Sequence, residues 1–271
     1  MSIDEIGAYC EKAQSEGVRE IALTEHLFRF RQTEAILGDY FLRFPESPMR
    51  SLMYDYWHSH SKADLDVYVE VASEAKSAGL PVRVGLEVDY YRGEMDKVAQ
   101  LISGYPLDVV LGSIHWIDDW PFDHISDPFV MEYWNHYGVE RAWSEYTRAV
   151  EELASSRVTD VLAHPDLAKV AGHRPALPTE FYDRMAEAAR AAGMAAEVSS
   201  AGWRKPAKEA YPAPLLLAKF FALGVPITTA SDSHGLDHVG FRTADIRDYV
   251  IEAGYKSLMA YSERKPFSVE L

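Results

Sequence analysis

Two periods alternate along this chain, and that alternation limits its fold more than any other feature. Short apolar or β-branched runs at 20–24, 82–88, 108–113, 159–163, 195–199 and 226–230 read as strands. Stretches with helical spacing at 64–78, 94–103, 139–155, 178–192, 214–223 and 243–253 lie between and after them, with a short final run at 257–261. Strands that read as near-continuous apolar runs, separated by helices, predict a parallel sheet covered on both faces. Six or seven such units favour a barrel over a small open sheet. No Pro/Ser-rich linker, low-complexity segment or internal repeat divides the 271 residues, so the reading is one α/β domain over 1–271.

Ser2-Ile3-Asp4-Glu5 has the form of a capping box and predicts a helix ahead of the first strand. A parallel barrel that opens on a helix lacks its first strand and leaves two sheet edges unpaired. The stretches 31–62 and 117–137 are rich in aromatic and turn residues without clear periodicity. Both are read as irregular loops forming walls of a site.

Composition narrows the partners. Lys plus Arg is 27 and Asp plus Glu is 42, a formal net charge of −15. That excess argues against nucleic acid or an anionic membrane surface as the main partner. A single cysteine, Cys10, cannot form an internal disulfide, which fits a cytoplasmic location. The first twenty residues are studded with charges, unlike a leader, and apolar runs fall short of the roughly 20 residues a membrane span needs.

The histidines and carboxylates sit at the ends of the strand runs. The first run leads into Glu25-His26, and the second carries Glu87 and Asp89. The third leads to His115, the fourth to His164-Pro165-Asp166, and the last to Asp232-Ser233-His234. In a parallel barrel the C-terminal strand ends converge on one mouth, where chemistry is assembled. Imidazole nitrogen with carboxylate oxygen is the ligand set of Zn, Mn or Fe. His26, Glu87, His115, His164, Asp232 and His234 exceed the needs of one ion, which predicts two or more. Asp232 and His234, two apart, point to one side, whereas Glu25, adjacent to His26, points elsewhere and reads as a salt-bridged residue.

Taken in order, Thr24-Glu25-His26, Gly85-Leu86-Glu87, Gly112-Ser113-Ile114-His115, Ala163-His164-Pro165-Asp166 and Ser231-Asp232-Ser233-His234 resemble the successive motifs of the PHP (polymerase and histidinol phosphatase) superfamily. Arg29-Phe30-Arg31, Val198-Ser199-Ser200-Ala201-Gly202 and Arg204-Lys205-Pro206 bring the resemblance closest to its histidinol-phosphatase branch. The resemblance implies a distorted (β/α)7 TIM-like barrel that binds two or three divalent ions and hydrolyses L-histidinol phosphate, in histidine biosynthesis. It implies that Glu87 bridges two metals and that the other five residues complete the shell. It also implies an opening strand ending in His-x-His. The only such pair here, His58-Ser59-His60, lies in the 31–62 stretch and is read as a solvent-facing loop pair. The bolder reading has it fold over the mouth and replace ligands.

Two metals about 4 Å apart can hold a phosphate ester and a bridging hydroxide. Glu87 and Asp232 are then the catalytic residues, Asp232 with a lesser role as proton donor. Arg29, Arg31, Lys169 and Arg204 follow strand ends and are the candidate phosphate ligands, the arginines by bidentate pairing. The partner implied is a small phosphorylated substrate. Two other readings stand beside this one: a non-catalytic barrel with an incomplete metal site, and a phosphoesterase for a different small ester. The aromatic groups at 54–57 and 116–122 are read as loop packing.

Overall fold

A computed structural model describes residues Met1–Leu271. In chain order the elements are α1 (Ile3–Ser15), β1 (Ile21–His26), α2 (Glu34–Leu37), α3 (Pro48–His60), α4 (Leu65–Ser77), β2 (Val82–Asp89), α5 (Met95–Ile102) and β3 (Val109–Ser113). There follow α6 (Pro128–Tyr137), α7 (Val139–Ser156), β4 (Val161–Leu162), α8 (Thr179–Ala192), β5 (Ala195–Ser199), α9 (Pro214–Ala222), β6 (Ile227–Ala230), α10 (Thr243–Glu252) and a hairpin, β7 (Ser257–Ser262) with β8 (Lys265–Glu270). The first six strands form one parallel sheet in sequential order. The sheet curls so that residues of its two edge strands, β1 and β6, line the same cavity of about 590 Å³.

Strand residues are buried throughout β3, β4 and β5 and nearly so in β2, as expected when helices cover both faces of a parallel sheet. The strands β1 and β6, each paired on one side only, stay mostly half-buried. The capping box at Ser2 and Glu5 is formed, with each side chain reaching the other's backbone N–H. No helix is long and apolar enough to cross a membrane.

Two expectations are corrected. The 31–62 stretch is not irregular: it contains α2 and α3, and α3 buries Met49, Met53 and Trp57, a stripe at intervals of four that seats one helical face in the core. Pro48 stands in its first turn and Ser47 caps it by accepting the Arg50 N–H. Likewise, 117–137 ends in α6, capped by Asp127. The final run at 257–261 is the first strand of the hairpin, which packs against β6.

Aromatic packing accounts for most of both stretches. Trp116, Trp120, Phe122 and Trp57 are all buried, and Trp120 meets Trp134 edge-on at 4.8 Å between ring centres. The packing rings reach the C-terminal end of β1 through Phe28, whose ring lies 5.2 Å from that of His26.

Candidate metal centre

Residues two apart on a strand share a face, so Gly85, Glu87 and Asp89 of β2 line up along one side. A Cβ at Gly85 would stand 2.8 Å from the Val109 carbonyl oxygen, so glycine permits the close approach of β2 and β3 below the acids. Above it, Glu87 pairs in register with His26 at the end of β1. Its Oε1 lies 3.0 Å from His164 Nε2 and 3.5 Å from His115 Nε2, and its Oε2 lies 3.8 Å from His26 Nδ1. Three imidazoles from three strand ends thus surround one buried carboxylate. Ligand atoms of His26, Glu87 and His115 all lie within 4.8 Å of one another.

The remaining pair joins through His26. Its Nε2 is 3.4 Å from His234 Nε2, and His234 Nδ1 is 3.5 Å from Asp232 Oδ1. All six residues singled out in the sequence are therefore linked, Glu87 and His164 buried and His234 open to solvent. His164 and Asp232 both adopt left-handed backbone angles, with φ of 27° and 48°. Such angles are uncommon for residues other than glycine and cluster at functional sites.

Charges within the cluster reinforce one another. Burial opposes the charged form of Glu87, but His26, the His164 hydrogen bond and His115 hold its carboxyl well below the usual range. Burial also disfavours a charged His115, yet the Asp89 charge and hydrogen bond, with Glu87, push it up to about 10. Two imidazole nitrogens of the cluster, His26 Nδ1 and His164 Nδ1, are buried without a hydrogen-bond partner in the protein. Buried imidazole nitrogens without partners, gathered around an anionic carboxylate, suit a cation with nitrogen and oxygen ligands.

Two residues carry functions that the sequence does not disclose. Asp89 is fully buried, and its Oδ1 accepts a hydrogen bond from His115 Nδ1 at 2.7 Å. This fixes the ring's tautomer and leaves Nε2 toward Glu87. Glu197, in the middle of β5, is buried and accepts the backbone N–H of His164 at 3.3 Å. Burial, with Asp232 and Glu87 nearby, pushes its acid up to about 8 against the pull of His164. In the sequence Asp89 is one more acid at a strand end, and the only signal for Glu197 is an acid inside an apolar run.

The cations divide. Arg29 lines the cavity 3.5 Å from Glu25, which is the salt-bridged residue expected, and its Nε is buried without a partner. Arg204 Nη2 donates to the carbonyls of Ser231 and Asp232, while its Nη1 is buried and unpartnered. Arg31 and Lys169 correct the expectation that all four face the mouth. Arg31 is exposed and pairs with Asp64 at the cap of α4. Lys169 is completely buried, and its Nζ is shared by Asp166 and Glu209 at 2.8 Å and the Ala210 carbonyl at 2.7 Å. His58 and His60 face solvent from the last turn of α3, on a helix rather than a loop, with His60 Nδ1 2.8 Å from the Tyr56 carbonyl.

Comparison with known proteins gives relatives and a shared fold. A protein named "Probable histidinol-phosphatase" from Deinococcus radiodurans is 32% identical over 190 residues, covering 70% of this chain and 72% of its own. A protein of the same name from Schizosaccharomyces pombe is 26% identical over 266 residues, covering 92% of this chain and 81% of its own. The fold is similar to that of histidinol phosphate phosphatase from Lactococcus lactis, crystallised with zinc, L-histidinol and phosphate. Its TM-score is 0.70 at 21% identity, covering 96% of this chain and 92% of that one. The PHP domain model matches residues 1–201, and the chain belongs to the PHP domain family.

Proposed function

We propose that the chain is a metal-dependent phosphomonoesterase converting L-histidinol phosphate to L-histidinol and phosphate, as a single domain in the cytoplasm. The observation that carries this reading is the convergence of His26, His115 and His164 on the buried carboxylate of Glu87. The Deinococcus radiodurans relative supports the substrate by its name. The Lactococcus lactis neighbour, which holds zinc, L-histidinol and phosphate, supports both metal and substrate.

Two or three divalent ions, zinc, manganese or iron, would be held by His26, Glu87, His115, His164, Asp232 and His234. When bound, such ions polarise phosphate oxygens and supply hydroxide at neutral pH. The chain's own contribution is placement. Asp89 keeps the His115 proton on Nδ1 and presents Nε2. Arg29 Nε and Arg204 Nη1, both buried without a partner, are assigned to the phosphate dianion. Proton delivery to the leaving alkoxide is at most a secondary role of Asp232, the more exposed of the two carboxylates, because a carboxylate that binds a cation is held ionised and has no proton to give.

Phosphate release by the zinc- or manganese-loaded protein tests the reading. L-histidinol phosphate should rank far above simple phosphate esters, and EDTA should abolish turnover. A fully loaded protein inert toward the whole panel would overturn it.

A further inference from the structure

We propose that Glu197 is a positioning residue for His164, acting through the backbone of that residue rather than as a ligand; the inference rests on the metal-centre reading above. The strand β5 lies between β4 and β6, whose ends carry His164 and Asp232. Glu197 is its one charged residue, and it is buried with its side chain at the wall of the cavity that His164 also lines.

The need for it follows from β4, which is only two residues long. Its pairing with β5 stops at Leu162 opposite Ala196. Past that point only the Ala163 N–H is still held by the sheet, by the Gly112 carbonyl of β3 at 2.9 Å, and no strand pairing reaches His164, which takes a left-handed backbone with φ of 27°. A residue other than glycine persists there only when its surroundings over-determine it. Its carbonyl accepts the Leu167 N–H at 2.9 Å, and its own N–H donates to Glu197 Oε1. A side-chain carboxyl oxygen thus replaces the acceptor that a longer β4 would have found in the sheet. From that fixed backbone the ring reaches Glu87 at 3.0 Å. The opposite flank of β5 is built alike: Arg204, in the turn after it, binds the Ser231 and Asp232 carbonyls at 2.8 and 2.9 Å, and Asp232 is the other left-handed residue of the centre.

The test compares Glu197→Gln, whose amide oxygen can still accept the N–H, with Glu197→Leu, which cannot. Metal-free proteins are titrated with zinc by calorimetry, cobalt(II) absorption reports the ligand field, and urea melts report folding. The expected result is wild-type-like zinc affinity for Glu197→Gln, within about threefold, and a loss of roughly 10–100-fold for Glu197→Leu, as for other supports of metal ligands. The cobalt spectrum should shift in the Leu variant alone. Because the effect passes through His164, adding Glu197→Leu to His164→Ala should weaken zinc no further. The proposal is overturned if Glu197→Leu binds as wild type, if Glu197→Gln loses as much as Glu197→Leu, or if the two losses add in the double variant. Should the Leu variant not fold, more than a tenfold loss in Glu197→Gln overturns it. Failure of the wild-type protein to bind zinc would instead refute the metal centre itself, a separable outcome.

Discussion

Asp89 shows how much of the centre depends on single side chains outside the ligand set. One of its oxygens holds the His115 ring, and the other is buried without a partner. Removing it in Asp89→Ala should lower zinc affinity by roughly 10–100-fold in a calorimetric titration; unchanged affinity would mean that His115 needs no support. Lys169 makes the opposite case, a cation whose position after a strand end suggests substrate while its surroundings make it structural. In Lys169→Met the fully buried Asp166 loses its counter-charge, so urea unfolding should show a loss of about 3–5 kcal/mol. A stable variant with a raised KM would return Lys169 to the phosphate site. The six ligand candidates are legible in the sequence because each stands at or just past an apolar run, where a parallel sheet delivers side chains to one mouth. The supporting roles of Asp89 and Glu197 are not, since an acid at the end of a run or inside it looks the same whether it braces a ligand or merely satisfies a backbone N–H.

At the level of elements, the five central α/β units follow from period alone, with β5 lying at 195–199 as read. The helix α3 escaped because its core stripe, Met49, Met53 and Trp57, is only three residues long and embedded among polar aromatics. The closing hairpin escaped for another reason. Its turn residues, Glu263 and Arg264, both take left-handed angles without the glycine or asparagine that normally marks such a turn. Distant acids hold it instead: Arg264 pairs with Asp160, and the Glu263 N–H donates to Asp108. Asp108 also receives Lys76 and the Val84 N–H. Burial opposes its charge, but Lys76 and these N–H groups hold its carboxyl below the ordinary value of 3.8. A depressed folded-state pKa stabilises the protein above the unfolded value, and that contribution disappears as pH falls through the folded one. Asp108→Asn should therefore lose roughly 1–3 kcal/mol at pH 7 and show a shallower decline in unfolding free energy below pH 4 than the wild type, by urea titration. Parallel pH curves for the two would contradict this role.

Across the whole molecule, protection should follow the sheet's connectivity. The strands β2 to β5 are paired on both sides and buried, while β1 and β6 border the cavity and are paired once. Hydrogen exchange should be slowest in β2, β3 and β5 and measurably faster in β1 and β6. Uniform protection would mean that the edges are covered in solution. The same curled sheet is what gathers ligands from residue 26 to residue 234 into one chain of contacts, and the account depends on that gathering. Anomalous scattering from a zinc-soaked crystal tests it most directly. The account predicts peaks at Glu87, within bonding distance of nitrogens from His26, His115 and His164. Peaks confined to other parts of the surface, with this cluster left dry of metal at saturating zinc, would contradict it.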